Sequence, residues 1–261
     1  MKVGYIQTSP IFGDKISNFN QIEMLLGEEN ADLIVLPELF ATGYTFVSKV
    51  EAQSLAEDKK GQTAQYLTKL ARLTDSVIIG GFIERDGDQI FNSSIIVSNK
   101  GIHGTYRKLH LYYKEKKWFS PGNRKMKIYD INGMKIGIMI CFDWIFPETA
   151  RTLTLLGADI IAHPANLVLP YCQKAMITRC LENRVFAITS NRIGTEKRGH
   201  DNFKFTGGSQ ITSCKGEVLS TAPIDQPYID FVEIDLKDAR DKKLNEYNDI
   251  IKDRRSKFYS I

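Results

Sequence analysis

The 261-residue sequence predicts an α/β fold in which mixed sheets and helices form layers. Three observations support this prediction. Short apolar runs of strand length alternate with amphipathic segments of helical period. Turn-forming dipeptides join neighbouring runs near residues 86–87 and 99–101, so those strands are expected to be antiparallel. No repeat, low-complexity linker or change of composition divides the chain, so residues 1–261 are expected to form one domain.

The first half of the chain is expected to alternate strands and helices. The apolar runs predict strands at residues 3–7, 33–36, 77–82, 91–98 and 102–106. Helical spacing of apolar residues predicts helices at 18–28 and 63–72. Residues 37–44 and 107–122 have no regular period and are expected to be loops.

The second half continues the pattern around one buried-strand run, residues 136–140. Further strands are predicted at 159–163, 185–190, 208–213 and 231–235, and helices at 149–156, 173–183 and 236–247. Runs such as 136–140 lack polar alternation, which is typical of strands buried on both faces.

Composition excludes several classes of function. The 35 Lys and Arg nearly balance the 31 Asp and Glu, so no nucleic-acid partner is expected. The four cysteines form no C-x-x-C pair, and no metal site is expected. Few cysteines in a long chain fit a reducing compartment. The start of the chain resembles a strand rather than a signal peptide, and no apolar run reaches membrane-spanning length, so a cytoplasmic location is expected.

Three chemically capable residues follow predicted strands. Glu38 follows the strand at 33–36, Lys108 the strand at 102–106, and Cys141 the strand at 136–140. If these strands run the same way, their carboxyl ends bring the three side chains to one edge, where α/β folds bind ligands. Cys141 also precedes a predicted helix, whose N-terminal potential is expected to favour the thiolate.

These residue types suit nucleophilic catalysis. A carboxylate such as Glu38 can take the proton of the Cys141 thiol, and Lys108 can stabilise both a thiolate and an oxyanion. The backbone N–H of Phe142 can be a second oxyanion donor. Taken singly, each residue has a plainer interpretation: a buried small side chain for the cysteine, a loop carboxylate, or a surface charge.

Longer motifs around these residues resemble those of a known family. The segments L-P-E-L at 36–39, Y-R-K-L-H-L at 106–111 and I-C-F-D-W-I-F-P-E at 140–148 are similar to the three signature motifs of the nitrilase superfamily, the carbon–nitrogen hydrolases. They occur in the order typical of that family. The segment 114–122, K-E-K-K-W-F-S-P-G, resembles the one that carries the family's additional glutamate, here Glu115.

The resemblance implies a four-layer α-β-β-α sandwich and a residue-by-residue mechanism. Cys141 would attack the substrate carbon, Glu38 would act as general base, Lys108 would stabilise the tetrahedral intermediate, and Glu115 would help to position substrate and protons. An amide would give a thioester acyl-enzyme, and a nitrile a thioimidate. The resemblance also implies no metal or organic cofactor, and a homodimer or higher assembly formed through helices near the active site.

The substrate pocket is expected to be lined by Tyr44, Phe142, Trp144 and Asn166, with Trp118 and Phe119 behind them, and to take a small, largely apolar acyl group. Hydrolysis of a small amide is the leading hypothesis, with nitrile hydrolysis second because the motifs are the same. N-carbamoyl amine hydrolysis and a non-catalytic binding module remain further alternatives. A glutaminase domain that supplies ammonia is disfavoured, because no synthetase is fused to the chain.

Several neighbouring residues are expected to be structural. Asp143 is predicted to cap the turn after Cys141. Arg151 and Arg192 are predicted to pair with internal carboxylates, and His163 to be a packed, hydrogen-bonded residue. The other cysteines are expected to be dispensable for catalysis: Cys172, Cys180 and Cys214.

Overall fold

The computed structural model describes residues 1–259 and has four layers, α-β-β-α. Two six-stranded mixed sheets pack face to face, and helices cover their outer faces. The predicted α/β fold class and the sandwich implied by the family resemblance are both confirmed. Among the described helices, none is long and apolar enough to cross a membrane.

Where a strand was predicted, the observed strand differs from it by a few residues at the ends. In chain order they are β1 (Lys2–Gln7), β2 (Leu33–Val35), β3 (Val77–Asp86), β4 (Gln89–Ser98), β5 (Gly101–Arg107), β6 (Ile128–Ile131), β7 (Met134–Ile138), β8 (Ile160–Pro164), β9 (Phe186–Ser190), β10 (Thr195–Arg198), β11 (Asp201–Lys204), β12 (Gln210–Thr212), β13 (Val218–Thr221) and β14 (Tyr228–Glu233). The helices are α1 (Lys15–Leu26), α2 (Lys49–Leu55), α3 (Gln62–Thr74), α4 (Glu115–Trp118), α5 (Pro147–Leu155), α6 (Cys172–Asn183) and α7 (Leu236–Arg240). Short 3₁₀ turns span Cys141–Ile145 and Ser256–Phe258.

Strand direction determines which ends meet. The first sheet has the order β14-β1-β2-β3-β4-β5, and the second β13-β12-β9-β8-β7-β6. In the first sheet β2 and β3 are parallel, while β4 is antiparallel to both β3 and β5. Consequently β5 runs in the same direction as β2, and the segments that follow these two strands leave the sheet at the same edge. A separate two-stranded ribbon pairs β10 with β11.

The continuous apolar runs arise because both faces of each sheet are buried. Leu33 and Val35 of β2 point into the core between the sheets, where they join Ile136 of β7. Ile34, between them, points the other way and packs in the cluster under α1 and α3. Alternate residues of one strand therefore fill two different apolar layers.

The outer helices lie close to the sheets where glycine leaves room. An added Cβ at Gly137 of β7 would lie 2.8 Å from Leu153 Cδ2 of α5, so the helix packs directly on the strand that leads to Cys141. On the other face, Asp14 caps the N-terminus of α1, and its side chain accepts a hydrogen bond from Ser17 N. Such N-caps satisfy donors that the first helical turn leaves unpaired.

The predicted helix at 236–247 is wrong beyond its first turn. The helix α7 ends at Arg240, and the chain continues in turns. Asn245 accepts hydrogen bonds from the backbone N–H groups of Tyr247 and Asn248, and Asp249 accepts from that of Ile251. Asn and Asp side chains compete with the helix in this way for backbone donors.

Short elements were also missed. The predicted loop at 107–122 contains the end of β5 and the one-turn helix α4. Helix α2 and the strands β6, β10, β11 and β13 lie in segments for which the sequence analysis predicted no regular structure. Each is too short to show a clear hydrophobic period.

Candidate active site

A buried lysine lies between two carboxylates at the edge where β2 and β5 end. Lys108 Nζ donates to Glu38 Oε1 and to Glu115 Oε1, each at 2.7 Å. Glu38 and Lys108 are fully buried, and Glu115 is 4% exposed. The structure therefore brings three of the predicted residues into one ion cluster. Charges in such a buried cluster interact more strongly than they would in water.

Backbone geometry holds this cluster in place. Leu39, directly after Glu38, has a φ of 48°, which turns the chain sharply at the end of the strand. Gly81 of β3 makes room for this turn, because a Cβ there would lie 2.6 Å from Glu38 Cα. On the other strand, Lys108 N donates to Asn92 O at 2.8 Å, which continues the sheet pairing to the lysine.

The charges of the cluster dominate its protonation. Burial lowers the pKa of Lys108, but the carboxylates of Glu115 and Glu38 outweigh burial and leave its pKa above the ordinary value. Burial raises the pKa of Glu115, against the opposing effect of Lys108. Lys108 therefore remains a cation throughout the physiological range.

Sequence reasoning missed one contact of the cluster. Asn92, in the middle of β4, donates through Nδ2 to Glu38 Oε1 at 2.7 Å. The signal was present, since this amide interrupts the apolar residues of a buried strand. With Lys108 and Asn92 both on Oε1, the other oxygen, Glu38 Oε2, is buried without a hydrogen-bond partner among residues 1–259. A carboxylate oxygen without a donor is free to accept a proton.

Cys141 begins the 3₁₀ turn after β7 and has a φ of 40°. Left-handed backbone is strained for a residue with a Cβ and must be stabilised by its surroundings. His163 of β8 provides one such contact, because its Nε2 donates to Cys141 O at 2.9 Å. Thr189 lies 3.1 Å from the other ring nitrogen. Burial lowers the pKa of His163, so the ring is neutral, and its prediction as a packed, hydrogen-bonded residue is confirmed.

The expected preference for the Cys141 thiolate is wrong for the resting site. Burial and the charge of Glu38 raise the pKa of Cys141 well above its ordinary value, and the opposing effect of Lys108 is smaller. Helix α5 begins only at Pro147, and a helix dipole acts mainly within its first turn. The thiol therefore needs a base before it can attack.

A cleft opens at Cys141. Its lining includes three of the predicted pocket residues together with a tyrosine and a short apolar segment: Tyr112, Phe142, Trp144, Asn166, Leu167, Val168 and Leu169. Asn166 is 2% exposed, and neither its Oδ1 nor its Nδ2 meets a partner in the described part of the chain. A buried side-chain amide without hydrogen-bond partners costs free energy unless a bound ligand provides those partners.

Tyr44 lies in a neighbouring depression rather than in the cleft. It lines that depression with Glu115 and Trp118, and its hydroxyl donates to Glu115 Oε1 at 2.5 Å. Phe119 packs in the same apolar cluster as Tyr44 and makes an edge-to-face contact with Phe46. Of these two side chains, Tyr44 is the one that donates a hydrogen bond to the ion cluster.

Comparison with known proteins identifies the family of the chain. The carbon-nitrogen hydrolase family matches residues 2–243. The chain belongs to the carbon–nitrogen hydrolase family. It is 46% identical to a nitrilase of Pyrococcus abyssi over 99% of both chains, and 34% identical to an (R)-stereoselective amidase of Pseudomonas sp. over 98% of this chain and 92% of the relative. The fold matches a carbon–nitrogen hydrolase from Helicobacter pylori G27 with a TM-score of 0.89, 24% identity, and coverage of 99% and 97% of the two chains.

Hydrogen bonds and an ion pair involve three residues for which the sequence predicted structural roles. Asp143 Oδ2 accepts from Ile140 N at 2.9 Å, so its predicted capping role is confirmed. Arg192 pairs with Glu196 at 2.5 Å, as predicted. Within residues 1–259 the prediction for Arg151 is wrong: its Nη2 donates to the backbone carbonyl of Glu182 at the end of α6, and it forms no ion pair with a carboxylate there.

Between residues 1 and 259, no group of three or more His, Cys, Asp or Glu side chains is arranged to hold a metal ion.

Proposed function

We propose that this carbon–nitrogen hydrolase cleaves small amides through a Cys141 acyl-enzyme, with Glu38 as general base and Lys108 as electrostatic stabiliser. The observation that carries the proposal is the free oxygen of the base. Glu38 Oε2 is buried and unpartnered within the described residues, and the charge of Glu38 acts on a Cys141 thiol that retains its proton. The Cys141 thiol needs a general base to become a nucleophile, and Glu38 has an oxygen that is free to accept the proton.

The reaction proceeds in two halves. In the first, Glu38 takes the thiol proton while Cys141 Sγ attacks the carbonyl carbon, and Lys108 with the Phe142 N–H stabilises the oxyanion. The proton then passes from Glu38 to the nitrogen and the C–N bond breaks. Ammonia departs, and the acyl group remains on Cys141 as a thioester. In the second half, Glu38 takes a proton from water, the hydroxide attacks the thioester, and the proton returns to the thiolate as the acid leaves.

Glu115 supports this chemistry by holding Lys108. Its Oε1 accepts from both Lys108 and Tyr44, so the ammonium is fixed between two carboxylates. We propose that Glu115 also positions the substrate and its protons, and that Tyr44 acts by orienting this carboxylate. Preorganised charge of this kind needs no rearrangement when the oxyanion forms.

Asn166 favours an amide over a nitrile. Its Nδ2 can donate to an acyl oxygen and its Oδ1 can accept from a substrate NH₂ group, and both atoms are buried without a partner in residues 1–259. A nitrile nitrogen only accepts, so it would leave Oδ1 unpaired at a cost of about 1–3 kcal/mol. We propose that Phe142 and Trp144 bind a small apolar acyl group beside it.

Nitrile hydrolysis is the second candidate. The relative from Pyrococcus abyssi, 46% identical, is named a nitrilase. The same three residues would form a thioimidate with a nitrile, so the ion cluster does not separate the two reactions.

We further propose that residues 1–261 work as one domain, as a homodimer, in the cytoplasm. The four cysteines are unpaired, which fits a reducing compartment.

Ammonia release from matched pairs of nitriles and amides tests the proposed function. Aliphatic, aromatic and dinitrile compounds would each be assayed beside the corresponding amide. We expect amides to be hydrolysed by the wild type and by Cys214→Ala, and not by Cys141→Ala. Nitriles converted to acids while the amides stay intact would replace the amidase proposal with the nitrilase one. Amide turnover retained in Cys141→Ala would contradict both.

A further inference from the structure

One buried carboxylate joins the two sheets beside the active site. Asp143 is fully buried and accepts four hydrogen bonds. Oδ1 accepts from His110 N at 3.1 Å and from His110 Nδ1 at 2.7 Å. Oδ2 accepts from the Tyr106 hydroxyl at 2.8 Å and from Ile140 N at 2.9 Å.

Asp143 and its three donors lie close in sequence to Lys108 and Cys141. Tyr106 lies two residues before Lys108 and His110 two residues after it, in the segment that leaves the first sheet. Ile140 directly precedes Cys141 in the second sheet, and Asp143 follows it by two. One side chain therefore connects the lysine segment with the nucleophile turn, which belong to different sheets.

The contacts leave Asp143 no capacity for proton transfer. An ionised carboxylate offers about four acceptor positions, and all four are filled here. The Tyr106 donor is fixed as well, because burial and the charge of Asp143 raise the pKa of its hydroxyl. The His110 ring stacks on Phe146 with centroids 3.8 Å apart, which orients Nδ1 towards the carboxylate.

We propose that Asp143 is a positioning residue that sets the location of Lys108 relative to Cys141, and that Tyr106 and His110 are its partners in this role. The proposal rests on the proposed function of Cys141 and Lys108. Loosening these bonds would let the ammonium move away from the thiol and from the oxyanion. A displacement of about 1 Å in a catalytic group can lower a rate by about 100-fold.

Two single-bond variants test the proposal without removing the buried carboxylate. Tyr106→Phe deletes one donor, and its matched control is Tyr129→Phe, which deletes the bond from the Tyr129 hydroxyl to Thr105 O, also between the sheets. Tyr106 and Tyr129 are 8% and 7% exposed, so the two substitutions are similar in burial. His110→Ala deletes the ring donor, and His110→Asn restores an N–H group near the place of Nδ1.

We expect Tyr106→Phe and His110→Ala to lower kcat by about 10- to 100-fold with little change in KM, because positioning affects the reacting groups more than binding. Alkylation of Cys141 by iodoacetamide should slow in the same variants, since Lys108 lowers the pKa of the thiol. His110→Asn should recover most of both rates. Tyr129→Phe should change Tm by as much as Tyr106→Phe while keeping the wild-type kcat and alkylation rate.

Equal effects of Tyr106→Phe and Tyr129→Phe on kcat and alkylation would overturn the proposal, as would a wild-type alkylation rate in His110→Ala. The alkylation rate needs no substrate. If the wild type released no ammonia from any amide or nitrile, the proposed function would fail while the alkylation comparison still decided the positioning role.

Discussion

The Cys141 thiol keeps its proton in the resting protein because burial and the charge of Glu38 act together. Both raise its pKa, and Glu115 adds to them, whereas Lys108 opposes them. The residue that raises the pKa most after burial is therefore the proposed base itself. Reactivity and catalysis are expected to respond in opposite directions when that carboxylate is neutralised.

Glu38→Gln provides this test at the scale of one residue. Removing the negative charge should lower the pKa of Cys141 and so raise the rate of its alkylation by iodoacetamide at about pH 8, because the thiolate is the reacting form. Turnover should fall, since the variant has no base. Alkylation measured by mass spectrometry from about pH 6 to pH 10 checks the sign. In the wild type the rate should still be rising above the ordinary cysteine pKa of about 8.5.

Glu115→Gln is the graded control for this experiment. The charge of Glu115 raises the pKa of Cys141 less than the charge of Glu38 does. Glu115→Gln should therefore also raise the alkylation rate of Cys141, but by less than Glu38→Gln. A rate in Glu38→Gln equal to or below the wild-type rate at every pH would contradict the assigned cause of the raised pKa.

Lys108→Gln should affect both stability and activity. It leaves Glu38 and Glu115 buried without their cation, so the free energy of unfolding should fall by about 3–5 kcal/mol. Turnover should fall by at least about 100-fold. The control is Lys114→Gln, whose ion pair with Asp201 lies near the surface and should contribute much less to stability. Urea unfolding that gave equal losses for the two variants would contradict this account.

At the residue scale, the sequence predicted the positions that depend on local rules. Glu38, Lys108 and Cys141 each follow a strand, and strand ends can be read from apolar runs. The contact of Asn92 with Glu38, and those of Asp143 with Tyr106 and His110, could not be predicted, because they join segments from different strands or different sheets. The net pKa of Cys141 was likewise inaccessible, since burial and Glu38, which decide it, are properties of the assembled fold.

At the scale of elements, two adjacent glycines of β3 face different neighbours: Gly81 lies against the backbone that carries Glu38, and Gly80 lies against apolar side chains. An added Cβ at Gly81 would lie 2.3 Å from Leu39 N and 2.6 Å from Glu38 Cα, which are backbone atoms. At Gly80 it would instead meet the side chains of Phe40 and Leu67, at 2.8 and 3.2 Å. Side chains can move aside, whereas the backbone that carries Glu38 cannot move without moving the carboxylate.

Gly81→Ala and Gly80→Ala should therefore differ in activity more than in stability. Overpacking of this kind destabilises a protein by about 1–3 kcal/mol, and both variants should lie in that range. Only Gly81→Ala should also lower kcat strongly. Thermal unfolding and initial rates measured on both variants check this. A larger loss of kcat in Gly80→Ala would show that the close approach of β3 does not position Glu38.

The elements that escaped prediction are those that side-chain contacts stabilise. The strands β10 and β11 are rich in charged residues, and no apolar alternation marks them. The ribbon is held by Glu196, which accepts from Tyr44 N and Thr45 N, and by the pairing of Arg198 with Glu51. By contrast, buried strands such as β2 were predicted correctly, because a short apolar run is enough to indicate a buried strand.

At the scale of the whole molecule, exposed apolar side chains support the proposed homodimer. On or beside α5 and α6 these are Ile145, Leu155, Leu156, Tyr171 and Leu181, each at least 40% exposed. If these side chains form one patch in space, they would be suited to an interaction surface between two copies of the chain.

Sedimentation should give twice the 29.6 kDa chain mass for the wild type. The double variant Leu155→Asp with Leu181→Asp should sediment as one chain, because charges in an apolar interface lose hydration without gaining a partner. Met24→Asp is the control, since Met24 is 79% exposed on α1, away from these helices. A fully active wild-type monomer would contradict the homodimer.

The most direct test of the account is to trap its intermediate. The protein would be mixed with an amide that it hydrolyses, quenched in acid within one turnover, digested and analysed by mass spectrometry. We predict a thioester of the acyl group on the peptide that contains Cys141, formed together with a burst of ammonia and absent from Cys141→Ala. An acyl group on another residue, or a burst of ammonia without an adduct on Cys141, would contradict the central claim.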